Sequence, residues 1–221
     1  MTEIKTTIDF DPDVLRAKYK AERDKRIRSD GNEQYIEATG VFEYLAKDNN
    51  RGEHLDRDPQ SREVDVVVVG GGFGGLIAGA GLKKAGIEDV VLIEKGADFG
   101  GTWYWNQYPG ARCDVESYIY LPLLEEVDKI PTEKYASAPE IQEHACGIAR
   151  KFGLDKNACF QTEVKTLKWD AEIDRWIVQT DRQDEMKARF VIMASGPLHK
   201  LKLPGIPGID SFTGHMFHTS R

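Results

Sequence analysis

The pattern of apolar and polar positions changes character along the chain. In the first 60 residues apolar side chains are sparse, and over DFDPDVLRAKYKAERDKRIR the positions Val14, Leu15, Tyr19 and Ile27 mark a narrow stripe on a charged rod. Asp11 followed by Pro12 reads as a helix start, because a carboxylate accepts from the first free backbone N–H groups and proline has none to lose. Ile36, Phe42 and Leu45 predict a second, weak helix from Glu33 to Ala46, and DNNRGEHLDRDPQS predicts a linker over the surface. Residues 1–60 are therefore expected to be a helical extension that clamps onto the main domain or a partner.

From Val64 the pattern sharpens. EVDVVVVGGGFGGLIAGAGLKKAGIEDVVLIEKG is a β-branched run, a glycine turn, a helical stretch and a second apolar run, which predicts a βαβ unit of about 30 residues with buried parallel strands. In SAPEIQEHACGIARKFG, Ile141, Ala145, Ile148 and Phe152 share one helical face, with Ser137 and Glu140 as a capping box. CFQTEVKTLKWD, RWIVQTDRQ and EMKARFVIMASG then read as short strands with AEID as a turn. They predict an antiparallel meander leading into a core strand, Phe190 to Ala194, that returns to the parallel sheet. Residues 61–221 are expected to form this second domain.

Composition narrows the function classes. A 221-residue chain with 40% apolar residues can build a real core. Its formal charge of -7 and pI near 5.3 argue against a general nucleic-acid or anionic-membrane surface, so any phosphate must be held locally. Cys113, Cys146 and Cys159 form no C-x-x-C pair, and their irregular spacing fits a reducing, cytoplasmic setting. The opening residues lack a signal-peptide pattern, and no stretch reaches the ~20 apolar residues that span a bilayer. His215 and His218 have no third ligand beside them, so no metal is expected.

Gly70, Gly72 and Gly75 make G-x-G-x-x-G directly after a strand. The first glycine permits the tight turn, the second lets a pyrophosphate approach the backbone, and the third lets helix and strand pack closely. Glu94 closes the following strand, where a carboxylate can accept from a ribose diol. This is a Rossmann-type arrangement, and by itself it leaves FAD and a nicotinamide nucleotide both open. The meander favours FAD by fold-level analogy. Small residues in VIMASG, Val191 to Gly196, fit either core packing or close backbone approach to a cofactor.

The segment from Gly100 to Asp114 is similar, position for position, to the G-G-x-W-x-x-x-x-[FY]-P-G-x-x-x-D motif of Baeyer-Villiger monooxygenases, through Trp103, Tyr108, Pro109, Gly110 and Asp114. FTGHMFH resembles the F-x-G-x-x-x-H part of that family's signature, through Phe212, Gly214 and His218, and the signature's closing tryptophan would fall one residue beyond Arg221. The resemblance implies the N-terminal, FAD-binding part of a class B flavoprotein monooxygenase: an α/β, doubly wound parallel lobe with an antiparallel β-meander insertion. Such an enzyme uses FAD and NADPH to insert one oxygen atom from dioxygen next to a ketone carbonyl, through a peroxyflavin, giving an ester or lactone. The NADPH-binding lobe and the active-site arginine would lie downstream, leaving the isolated chain inactive.

By the same resemblance, the cofactor would be held by Gly70, Gly72, Phe73, Gly74, Gly75 and Glu94, by Gly101, Thr102, Trp103, Tyr104 and Trp105, and by Asp114, Tyr120 and Val164. Asp114 would orient the downstream arginine and, with Arg112, approach the nicotinamide. Phe212, Gly214 and His218 would form a hinge. Nitrogen- or sulfur-oxidising flavin-containing monooxygenases share the F-x-G-x-x-x-H core and are the alternative, as is a non-catalytic FAD-binding module. A flavin disulfide reductase would need a redox cysteine where Trp103 follows Gly-Gly-Thr.

Overall fold

The computed structural model describes residues 10–221; the start of the chain, where the sequence shows no signal-peptide pattern, lies outside the described residues. In chain order the elements are α1 (Pro12–Asp24), β1 (Tyr35–Glu37), β2 (Ser61–Val69), α2 (Phe73–Lys84), β3 (Val90–Ile93), α3 (Thr102–Trp105) and α4 (Ser117–Tyr120). There follow α5 (Ala138–Lys151), β4 (Ala158–Cys159), β5 (Val164–Asp170), β6 (Arg175–Thr180), β7 (Glu185–Met193) and β8 (Lys202–Pro204). The described chain forms two compact units: the residues up to Glu37 with Lys202–Phe212, and Ala38–Leu201 with Thr213–Arg221.

In the smaller unit, the Asp11 carboxylate accepts from the N–H groups of Asp13 (2.8 Å) and Val14 (3.4 Å), so α1 starts at Pro12 as the sequence predicts. None of its residues is buried. The helix expected over Glu33 to Ala46 does not form. Residues 31–34 and 40–46 are short 3-10 turns, and between them β1 pairs antiparallel with β8, Ile36 opposite Leu203. Gly40 at φ +58° and extended Thr39 interrupt any continuous helix, and β-branched Ile36 suits a strand. Phe42 and Leu45, three apart on the second turn, are buried.

The larger unit is built on one six-stranded sheet of order β4-β3-β2-β7-β6-β5. β3 and β7 both pair parallel with β2, and β4 pairs parallel with β3. β5, β6 and β7 run antiparallel to one another as the expected meander. β7 belongs to both patterns, pairing with β6 through Ala188 while running beside β2 from Glu185 to Met193. The fold is thus mixed α/β with a parallel centre. One face buries Val66, Val68 and Leu92 against Leu76 of α2 and Ala145 and Ile148 of α5. On the other, Val67, Val91 and Ile93 pack with Met186, Val164, Leu167 and Trp176, so the curled meander covers the side that no α2 or α5 residue reaches.

The α5 start departs from the expected capping box. Ser137 makes no side-chain cap, and Glu140 instead accepts from the backbone N–H (2.9 Å) and hydroxyl (2.7 Å) of Thr132. Pro139 in the first turn removes one N–H that a cap would have satisfied. The expected surface linker is fastened rather than loose. Asn50 donates to the Tyr104 carbonyl (3.1 Å), and Arg57 pairs with Asp184 through both guanidinium nitrogens at 2.6 Å.

Candidate functional site

At the carboxyl ends of β2 and β3 the chain must turn tightly enough to leave space above the sheet. Gly70 sits at φ +114°, and a Cβ there would lie 2.4 Å from the Ala194 carbonyl oxygen. Gly75 is packed more tightly still, its notional Cβ falling 1.9 Å from the Gly70 oxygen. The glycines bring the start of α2 down onto the strand ends. Gly72 precedes α2 with no side-chain cap, so the first N–H groups of the helix face the space free of any side chain.

Glu94 closes this turn from the side. It is buried, its Oε2 accepting from Gly71 N–H and its Oε1 from Gly96 N–H, each at 2.6 Å. Burial pushes its pKa above the usual carboxylate value, although the two N–H groups oppose the shift. The aromatic loop then folds back over the glycine turn: Gly100 donates to the Gly71 carbonyl (3.0 Å), and Gly101, at φ +55°, lies so close that a Cβ would be 2.8 Å from Gly72 Cα. Two glycine segments distant in sequence therefore meet backbone to backbone.

These segments enclose a cavity of about 610 Å³. Gly70, Gly72, Phe73, Gly74 and Glu94 line one side, and Gly101, Thr102, Trp103, Trp105 and Tyr120 another. Val164 lies on a third wall with Thr162, Glu163 and Lys165. Trp103 Nε1–H donates to the Tyr120 hydroxyl (2.7 Å), and the two rings meet edge to face at 5.7 Å, which fixes both. Burial raises the Tyr120 pKa, so that phenol stays neutral. At the mouth, burial disfavours the Glu163 carboxylate, but Lys165 (2.8 Å) and Lys95 (3.5 Å) outweigh it and hold its pKa below the usual value.

Other residues singled out in the sequence stand elsewhere. Gly75 acts from behind the turn, and Tyr104 points away from the cavity, accepting from Ala97 N–H (2.9 Å) and donating to Asp48 (2.7 Å). Arg112 and Asp114 are both exposed and are not paired: Arg112 binds Glu133 (2.5 Å) and the Tyr135 carbonyl (3.0 Å). Arg112 lines a second hollow of about 400 Å³ with Tyr108, Pro109 and Ser137. Within the signature, the boundary between units passes between Phe212 and Thr213, and His218 Nδ1 bonds the Ser220 hydroxyl (2.7 Å). The adjoining Arg221 guanidinium lies 4.2 Å from the Trp105 ring centroid.

Sequence reading missed Lys95, Thr162, Thr166, Leu167, Met193 and His199 on the cavity wall. Thr162 could have been found only through its backbone bond to the Glu94 carbonyl (3.0 Å), a contact with no local pattern. Ala194, Ser195 and Gly196, whose small size the sequence marked as fitting close approach, do line the cavity.

A parallel sheet with a glycine turn, an uncapped helix start and a buried acid at the next strand end defines a dinucleotide-binding class of fold. The chain belongs to the pyridine nucleotide-disulphide oxidoreductase family, whose sequence profile matches residues 67–221. More narrowly, it is 52% identical over 207 residues to a Baeyer-Villiger monooxygenase of Streptomyces coelicolor, covering 94% of this chain and 34% of that protein. The polycyclic ketone monooxygenase of the thermophilic fungus Thermothelomyces thermophila superposes with a TM-score of 0.85 at 38% identity, over 95% of this chain and 36% of that one. OTEMO, solved in complex with FAD and NADP, superposes with a TM-score of 0.66 at 38% identity, over 72% of this chain and 30% of that one. The chain therefore spans roughly a third of the length of the relatives it matches.

The disulphide chemistry in the family's name has no dithiol here. All three cysteines are buried and free, and burial with Asp98 alongside pushes the Cys146 thiol up to about 12.

Proposed function

We propose that this chain is the FAD-binding part of an NADPH-dependent monooxygenase that inserts one oxygen atom from dioxygen next to a ketone carbonyl, giving an ester or lactone. The observation that carries the reading is the cavity wall itself, where an uncapped helix start, a buried carboxylate and an aromatic loop converge on one space. That donor set fits FAD. The first N–H groups of α2 and the bare backbone of Gly70 to Gly74 would receive the pyrophosphate, and the remaining lone pairs of Glu94 would accept from the ribose hydroxyls. Val164 and its neighbours would flank the adenine, while Thr102, Trp103, Trp105 and Tyr120 would bound the flavin ring.

Bound FAD supplies hydride acceptance from NADPH and activation of dioxygen. The residues of this chain position it, hold the glycine turn open and keep water from the ring side with Trp103, Trp105 and Tyr120. Asp114, exposed and free of any hydrogen bond in the described chain, is available to hold an arginine supplied from beyond these residues, and Arg112 lies near enough in sequence to share that role at the nicotinamide. Residues 61–221 constitute the FAD lobe, residues 1–60 its extension, and Phe212, Gly214 and His218 a hinge toward an NADPH-binding lobe. The protein works in the cytoplasm; among the described residues no helix is long and apolar enough to cross a membrane.

The test is to incubate the full-length protein, with the NADPH-binding lobe and the active-site arginine in place, with FAD, NADPH and a panel of cyclic and linear ketones under air. The reading expects ketone-dependent NADPH oxidation with an ester or lactone one oxygen atom heavier than the ketone. Oxygenation of amines or thioethers with ketones untouched would overturn it.

A further inference from the structure

Residues Asp48 to Gln60 cross the surface of the larger unit without regular structure, yet side-chain hydrogen bonds tie them down along their length. The Asp48 carboxylate accepts from the Tyr104 hydroxyl (2.7 Å), and Asn50 donates to the Tyr104 carbonyl (3.1 Å). Four bonds converge on Gln161: its Oε1 accepts from Arg51 Nε (2.9 Å) and Leu55 N–H (3.0 Å), and its Nε2 donates to the carbonyls of Arg51 (3.1 Å) and Glu53 (2.9 Å). Beyond them Arg57 binds Asp184 and reaches the Thr162 hydroxyl (3.2 Å).

None of the strap's residues lines the cavity, but its partners Tyr104 and Gln161 are next to residues that do, and Thr162 lines it directly. Tyr104 stands between Trp103 and Trp105. Gln161 precedes Thr162, Glu163 and Val164, and its own backbone N–H donates to Gly96 (2.8 Å), beside Glu94. Gln161 is also held at φ +49°, a left-handed conformation that a non-glycine residue keeps only when its surroundings insist on it. Here every polar atom of its buried side chain is used by the strap.

We propose that the strap of residues 48–60 is a clasp that holds the aromatic wall and the Thr162–Val164 wall at a fixed separation, with Gln161 as the positioning residue through which it sets the residence time of the bound dinucleotide. The proposal rests on the FAD reading above. Loosening the clasp lets the two walls part, so it speeds release while leaving the glycine turn, and hence capture of the pyrophosphate, intact.

The experiment is to load the purified protein with FAD, dilute it, and follow the return of free-flavin fluorescence. Arg51→Ala, at an exposed residue, removes one donor to Gln161; Gln161→Ala removes all four bonds. Loss of one hydrogen bond predicts release about two- to ten-fold faster for Arg51→Ala, with a larger effect for Gln161→Ala and unchanged association rates in both. Melting temperatures of the FAD-free proteins are read alongside. A lowered melting temperature with unchanged release overturns the clasp, since the strap then supports only the fold, and unchanged release with unchanged melting overturns it too. Should Gln161→Ala fail to fold, Arg51→Ala decides the matter alone. A parent protein that takes up no FAD defeats the cofactor reading and the clasp together, whereas a parent that binds FAD beside variants that release it at the same rate defeats the clasp alone.

Discussion

Glu94 is expected to hold the glycine turn before any ligand arrives, and Glu94→Gln isolates that role. In the parent protein both carboxylate oxygens accept from backbone N–H groups, Gly71 and Gly96, at 2.6 Å within a buried site. A glutamine offers one acceptor and one NH₂, so one of the two N–H groups must face another donor. The change loses a hydrogen bond to a charged acceptor, about 1.5–3 kcal/mol, and strands a buried N–H, about 1–3 kcal/mol. A total of about 3–5 kcal/mol corresponds to a melting temperature lower by roughly 6–20 °C in a chain of this size. Thermal unfolding of the FAD-free protein by circular dichroism at pH 8 measures it. Equal melting temperatures at pH 8 would refute the reasoning, since they would mean that the carboxylate does not organise the turn.

Two glycines of α2 should respond in opposite directions to the same substitution. Gly75→Ala drives a Cβ to within 1.9 Å of the Gly70 oxygen and should cost at least about 3 kcal/mol, while Gly81→Ala meets nothing within 4 Å and should gain up to about 1 kcal/mol from helix propensity. Urea unfolding distinguishes the two. His144 is buried with Nε2 bonded to the Pro122 carbonyl (2.7 Å) and no partner for Nδ1; burial depresses its pKa below the ordinary 6.5. Because the unfolded chain binds the proton more readily, stability should be full above about pH 6.5 and fall as pH drops toward the depressed value, a slope that His144→Leu should flatten. Arg112→Ala breaks an exposed ion pair with Glu133 and an exposed bond to the Tyr135 carbonyl, and should leave the melting temperature within about 1–4 °C of the parent.

The parts of the fold legible in the sequence were those coded by local repetition. The β-branched run through Val69, the glycine spacing and Glu94 are all contained in one βαβ unit, so period and turn chemistry were enough to place them. Where an element depends on a remote partner, local reading failed. Tyr35–Glu37 becomes a strand because Lys202–Pro204 lies beside it, and Glu140 leaves its cap because Thr132 offers it two donors. The strap read as a polar linker for the same reason: its partners Tyr104, Gln161 and Asp184 are far away in sequence. In the candidate site, the approach of Gly101 to Gly72 was likewise invisible, although both glycines had been marked separately. The aromatics Trp103, Tyr104 and Trp105 looked equivalent, and only the one-turn helix α3 shows why the middle one faces Asp48 while its neighbours face the cavity.

The central claim is that one dinucleotide cavity lies between the glycine turn and the aromatic loop. Hydrogen–deuterium exchange of the purified protein with and without FAD tests it most directly. The account predicts slowed exchange in three separate stretches, Gly71 to Leu76, Gly101 to Trp105 and Thr162 to Leu167, with α1 unchanged. Uptake of FAD with no protection in those stretches, or no uptake at all, would contradict it.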